Sequence, residues 1–268
     1  MNIRYTRKCN LFNLKAVSGY LDIPEEFLVA YYEELLGDRS FLKSINQKIV
    51  ETRKKWGFTK GIFAKRIIPS IDWFAFERVL IYALIRHFRP NRILETGVYY
   101  GGNSAFALLA LMRNGQGSMI SIDYPDSQIR SDGAESFRHP LVGDSEHYDP
   151  SLHPGFMVPD ALNEYWTLIE GDSLKVIPSL QGQFDFYIHD SDHSMKFLSS
   201  ELALVWPILS DDALALIDDI DWSNAFFSFC VKQRLYPLLL TDNGKDDLRV
   251  RTGIVLRSHH RNGDDLFT

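Results

Sequence analysis

The stretch Arg92-Ile93-Leu94-Glu95-Thr96-Gly97-Val98-Tyr99-Tyr100-Gly101-Gly102-Asn103-Ser104 restricts the fold more than any other part of the chain. Ile93-Leu94 is a short apolar run soon after Pro90, the mark of a strand buried inside a parallel sheet. Gly97 and Gly101 follow where the backbone must turn sharply and pass close to a ligand. Asn103 or Ser104 is placed to cap the next helix, 105–112, which Gly115 ends. A helix N-terminus next to glycines usually suggests a phosphate site. Here Glu95 precedes the glycines and no Lys follows them. That carboxylate repels a phosphate but accepts a cationic or neutral amino-acid ligand. Neither GxGxxG nor GxxxxGK[ST] is present.

Later segments repeat the strand pattern. Apolar runs at 119–122, 165–169, 184–188 and 213–217 each end in acidic or small polar residues. The runs at 236–240 and 252–256 read as two closing strands. Helices are predicted from Pro24 to Gly37, over 39–56, from the Ser70 cap to Phe88, over 195–206 and over 224–235. Residues 1–23 give no assignable pattern. Residues 124–165 are long for a connection and rich in Pro, Gly, His, Asp and Ser, as a lid or substrate loop is. The histidines in this loop, His139, His147 and His153, match no metal template and read as solvated or substrate-facing. Pro154-Gly155-Phe156-Met157-Val158-Pro159 reads as a rigid turn back toward the sheet.

Composition excludes several classes of function. The formal net charge is −6 and the pI about 5.8, so no nucleic-acid partner is expected. The basic cluster Arg53-Lys54-Lys55, Lys60 and Lys65-Arg66 reads as a solvated helical face. Cys9 and Cys230 form neither a disulfide framework nor a metal pattern, which suits a reducing cytoplasm. Cys230 lies in an apolar helix and belongs to the core. No apolar run is long enough to span a bilayer, and no signal-peptide core is present at the N-terminus.

The motif Glu95-x-Gly97-x-x-x-Gly101 followed by Asn103 and Ser104 resembles class I S-adenosylmethionine (SAM) methyltransferases. It is most similar to the branch of catechol and macrocin-type O-methyltransferases. The resemblance covers about residues 71–257. It implies a doubly wound, mostly parallel seven-stranded sheet of the Rossmann-like methyltransferase type. An N-terminal helical extension, 1–70, precedes a domain over 71–268 with the lid as an insertion. In this reading Glu95, Thr96, Gly97, Gly101, Asn103 and Ser104 hold the amino-acid end of SAM. Asp123, ending the second strand, accepts from the ribose hydroxyls. Asp172 and Ser173 contact the adenine.

The densest polar cluster is His189-Asp190-Ser191-Asp192-His193-Ser194, at the carboxyl end of a strand where α/β proteins place chemistry. It resembles the family's I-D-G-D-H-S stretch, with Asp190 on the first acid. It departs from that pattern in having Ser191 for the glycine and His189 before Asp190. The resemblance implies that Asp190 contacts SAM and that Asp190, Asp218 and Asp219 hold Mg²⁺, since three converging carboxylates repel without a cation. Asp192 or His193 is then the proton acceptor. The expected function is SAM-dependent methyl transfer to the oxygen of a sugar, a phenol or a similar small hydroxyl compound. A metal-independent enzyme with His193 as base and a non-catalytic SAM-fold subunit stay open. A nicotinamide oxidoreductase is disfavoured by the missing GxGxxG. The N-terminal helices either cap the core or join two subunits.

Overall fold

A computed structural model describes residues 13–55, 76–124, 154–241 and 250–259. Its centre is one sheet of β1 (Arg92–Thr96), β2 (Ser118–Asp123), β3 (Trp166–Glu170), β4 (Phe184–His189), β5 (Leu209–Ile217), β6 (Leu238–Thr241) and β7 (Val250–Leu256). The spatial order is β3-β2-β1-β4-β5-β7-β6. β1 pairs in parallel with both β2 and β4, and the parallel ladder continues to β3 and β5. β7 runs antiparallel between β5 and β6. The winding reverses between β1 and β4, so the carboxyl ends of these two strands flank the crevice where such sheets bind ligands. The expected doubly wound seven-stranded sheet is therefore observed.

Side chains alternate across the sheet with the period of two that a strand imposes. Ile93, Phe186, Ile188, Leu214, Leu216 and Ile254 face one layer; Leu94, Tyr187, Ala215, Ile217 and Val255 face the other. The first layer contains α2 (Glu25–Gly37), α3 (Arg39–Lys55), α4 (Phe76–Phe88) and α5 (Gly102–Asn114). The second contains α7 (Met195–Val205) and α8 (Ala225–Gln233), with the short α6 (Ser173–Val176) leading into it. Burial of these apolar faces supplies the main driving force for the fold.

The N-terminal helices cap the core. Leu28 and Leu35 of α2 and Phe41 and Ile45 of α3 are buried in the same cluster as α4 and α5. Residues 13–21, which had no assignable pattern, form a further helix, α1. Leu14, Val17 and Leu21 have helical spacing and are buried. The run is too short to be stable alone. It is held from the far sheet edge, where Asn13 donates to the Thr241 carbonyl at 3.2 Å and Tyr20 to the Tyr236 carbonyl at 2.5 Å.

Boundaries shift where context overrides pattern. β5 starts at Leu209, ahead of the apolar run, and β6 starts at Leu238, after Pro237. Cys230 is buried as expected. Ser70 and the other residues of 56–75, the side chains of 53–55, Cys9, His139, His147, His153 and the turn 242–247 lie outside what the structure describes. Among the described residues no helix is long and apolar enough to cross a membrane.

Candidate active site

The glycine turn after β1 is set by steric necessity. Gly97 and Gly101 have φ values of 82° and 90°, where side-chain-bearing residues are strained. A Cβ on Gly97 would lie 1.9 Å from the Asp190 carbonyl oxygen, and one on Gly101 would lie 2.6 Å from Val158 Cγ2. The turn is thus pressed between the loop after β4 and the returning segment 154–159. That segment, which carried no expected role, buttresses the turn. Gly155 N donates to the Tyr99 carbonyl at 2.7 Å, and Met157 N to the Tyr100 carbonyl at 3.0 Å. Asp123 Oδ2 accepts from Val98 N at 3.0 Å and Tyr99 N at 2.6 Å. The carboxylate expected at the ribose therefore also ties down the glycine turn.

Glu95 is fully buried. Its Oε2 accepts from Ser104 at 2.7 Å and Ser121 at 2.5 Å, while Oε1 has no hydrogen-bond partner. Burial pushes its carboxyl up to about 7 against the lowering effect of the two serines. Gly101, in the left-handed conformation, takes the cap position of α5 that Asn103 or Ser104 was expected to fill. Asn103 instead donates to Asp190 Oδ2 at 3.0 Å and accepts from Arg78 Nε at 3.3 Å. Gly97, Gly101, Asn103, Asp123 and Asp190 are thereby joined around one crevice.

Three expected cofactor contacts, Thr96, Asp172 and Ser173, have partners within the protein. Thr96 is buried on the opposite face of β1 and bonds to Glu201 Oε2 at 2.9 Å. The Ser173 hydroxyl donates to Glu201 Oε1. Asp172 caps α6 by accepting from Leu174 N at 3.0 Å, and pairs with Lys175 at 3.3 Å. Glu201 went unnoticed in the sequence because it sits in an apolar helix that reads simply as a layer packed on the sheet.

The acidic edge differs from the expected arrangement. Asp218 follows directly after β5, and its amide donates to the His189 carbonyl at 3.0 Å, which sets the β5 loop beside the β4 loop. Asp219, at φ 47°, has its Oδ1 taken by Arg251, whose Nε lies 2.7 Å away and whose Nη2 also contacts it. Burial, then repulsion from Asp218 and Asp219, drives the Asp190 carboxyl well above its ordinary range, although 38 % of its side chain is open to the crevice. Burial and Asp219 push Asp218 up to about 7. Glu77, at the start of α4, joins this group. Burial and then Asp218 and Asp190 hold its carboxyl well above normal, and Oε1 has no partner. Neither Glu77 nor Arg78 was singled out in the sequence, because α4 reads there as an amphipathic core helix. The donors fit a divalent ion poorly. Asp219 is committed to Arg251, and no group of three or more His, Cys, Asp or Glu among the described residues could hold a metal.

Asp192 and His193 diverge. Asp192 is exposed and accepts from Ser194 N at 2.8 Å, fixing the entry to α7. The His193 side chain is only 10 % exposed, with Nε2 3.9 Å from Asp190 Oδ1 and 4.0 Å from Asp219 Oδ2. Burial, assisted by the charge on His189, pushes its imidazole down to about 4 against the pull of Asp219 and Asp192. The Trp222 ring lies 5.7 Å from the His193 ring and is 53 % exposed. Ser223 donates to the His193 carbonyl at 2.9 Å, which fixes that loop against the histidine.

Residues 94–220, from the middle of β1 past the acidic edge, match the family described as a methyltransferase domain. No curated protein matches the sequence. An O-methyltransferase from Bacillus cereus, solved in complex with SAH, has a similar fold, with a TM-score of 0.50 and 12% identity. The match covers 83% of this chain and 93% of that one. A Klebsiella pneumoniae protein assigned as an O-methyltransferase gives a TM-score of 0.50 and 15% identity, over 90% of this chain and 96% of that one. The sheet order is that of a doubly wound α/β fold, and the segment matched to the methyltransferase domain runs from its first strand to the acidic edge. The crevice between β1 and β4 lies at the switch point of the sheet, where folds of this kind bind ligands.

Proposed function

We propose that the protein moves the methyl group of SAM to an oxygen of a small-molecule acceptor, a sugar or phenol hydroxyl, and that His193 takes the acceptor's proton. The observation that carries this reading is the placement of His193, nearly buried, unprotonated at neutral pH and beside the crevice. The residues around the crevice fit SAM. Glycines 97 and 101 leave a space that any side chain would close. Buried Glu95 Oε1 is an unpartnered acceptor for the amino end, and Asp123 is an acceptor for the ribose. Bound SAM supplies an electrophilic methyl group on a sulfonium.

This chain's residues then orient the acceptor, take its proton and exclude water. As the acceptor oxygen forms its bond to the methyl carbon, the carbon–sulfur bond breaks and the thioether leaves. The acceptor proton passes to His193 Nε2, with Asp219 Oδ2, 4.0 Å away, stabilising the imidazolium. Metal assistance at Asp190 and Asp218 is the second reading. It is favoured by the mutual repulsion that raises both carboxyls and weakened by the Arg251–Asp219 pair. Exposed Phe27 and Leu36 on α2 would support self-association, and the cysteine usage supports a cytoplasmic location. The test is His193→Ala. Turnover of labelled SAM with a panel of hydroxyl acceptors should fall about 10²- to 10⁴-fold, the range for losing a general base, with SAM affinity within about twofold of wild type. Unchanged turnover would remove His193 from the reaction.

A further inference from the structure

Glu201 of α7 lies beneath the crevice and bonds to two residues expected at the cofactor, Thr96 and Ser173. It is fully buried, and its Oε2 meets Thr96 Oγ1 and Tyr187 OH at 2.9 Å, Ser191 Oγ at 3.0 Å and His189 Nδ1 at 2.6 Å. Its Oε1 accepts from the Ser173 hydroxyl. One carboxylate thus gathers donors from β1, β4, the loop after β4 and the start of α6. Four of the five donors, all but Tyr187, are chain neighbours of residues expected at the cofactor. Thr96 precedes Gly97, Ser173 follows Asp172, and His189 and Ser191 flank Asp190. The tolerances above are small, since Gly97 already packs where a Cβ would be 1.9 Å from the Asp190 carbonyl.

We infer that Glu201 is a positioning residue for the cofactor site, fixing the glycine turn, the α6 turn and the Asp190 loop at one spacing from below. The inference rests on reading the crevice as the SAM site. The physical reason is satisfaction of buried polar groups. Three hydroxyls, a phenol and an imidazole are all bound by one anion, and the contacts they make among themselves, such as Thr96 Oγ1 to Tyr187 OH at 2.9 Å, do not replace an acceptor that takes all five. A glutamine at 201 has no charge to set against His189 and turns a donor toward Ser173 or toward the other donors. The segments must then separate to regain partners, and the crevice widens.

The test measures the dissociation constant of S-adenosylhomocysteine by calorimetry and the melting temperature of the same samples. Glu201→Gln should weaken binding at least tenfold in fully folded protein, and Glu201→Asp should recover part of that loss. Should Glu201→Gln fail to fold, Ser173→Ala and Ser191→Gly carry the test, because both leave the Glu201–His189 pair in place. Each should weaken binding three- to tenfold with little change in melting temperature. Binding within twofold of wild type in folded Glu201→Gln, or in both serine variants, would overturn the inference and mark Glu201 as core stabilisation alone. Failure of the wild-type protein to bind S-adenosylhomocysteine would instead overturn the reading of the crevice, and this inference with it.

Discussion

His189 Nδ1 lies 2.6 Å from Glu201 Oε2, and neither side chain has any exposed surface. Removing one partner leaves the other charge or dipole buried and uncompensated. Glu201→Ala should therefore cost about 3–5 kcal/mol in denaturant unfolding. The paired change His189→Ile with Glu201→Leu should cost much less, because it leaves nothing polar to satisfy at that point. Against the upward push of burial, the charge and hydrogen bond of His189, with the hydrogen bonds from Ser173 and Thr96, hold the Glu201 carboxyl down at about 2, from an ordinary 4.5. Its contribution is fully present above about pH 4.5 and is lost as pH falls through about 2. Acid unfolding of the paired variant should lack that component.

Glu95 has the opposite sign. Its folded carboxyl is raised to about 7 by burial, above the ordinary 4.5. The native protein therefore holds a proton that the unfolded chain has released, and stability falls as pH rises from about 4.5 to about 7. Glu95→Gln should abolish that slope. The amino group of SAM beside Glu95 should pull the carboxyl back toward ionisation. Cofactor binding at pH 7 should then release a fraction of a proton, seen as a dependence of the binding heat on buffer ionisation enthalpy. Equal heats in phosphate and Tris would place the amino end elsewhere.

Asp123 accepts from the Val98 and Tyr99 amides and is the residue proposed to accept from the ribose. Asp123→Ala should weaken SAM binding by about 1.5–3 kcal/mol, the range for hydrogen bonds to a charged group, and should also loosen the glycine turn by freeing the Val98 and Tyr99 amides. Gly101→Val should abolish binding, since its side chain would collide with Val158. Unchanged affinity in both variants would sink the cofactor assignment.

Arg251 and Asp219 separate the two readings of the acidic edge. With Asp219 committed to Arg251, Arg251→Met and Asp219→Asn should lower melting temperature by similar amounts. EDTA should leave turnover unchanged. A loss of turnover on EDTA treatment that Mg²⁺ restores would establish the metal reading instead.

Trp222 presents an exposed ring beside His193. Trp222→Ala should raise the KM of a ring-bearing acceptor about tenfold, the order of a stacking contact of 1–3 kcal/mol, with SAM affinity unchanged. An unchanged KM for every ring acceptor turned over would place the acceptor on another wall.

The glycine turn, the strand order of motifs and the acids at strand ends are legible in the linear sequence, because each is a local demand. Gly97 must adopt a positive φ, a central strand must be apolar, and a loop at a sheet's carboxyl edge must be polar. The sequence by itself thus determined the sheet, the crevice and the residues placed there. It could not determine where those side chains point. Thr96 and Ser173 read as cofactor contacts by position, but the strand's period of two and the approach of α7 turn both onto Glu201. Asp219 reads as a third metal acid, and only the antiparallel pairing of β7 beside β5 brings Arg251 to it. Glu77 and Glu201 belong to no motif, and helix packing sets one at the acidic edge and the other beneath the crevice. Long-range packing decides partners because a carboxylate's environment is built from whichever elements the fold presses against it, and no local pattern encodes that.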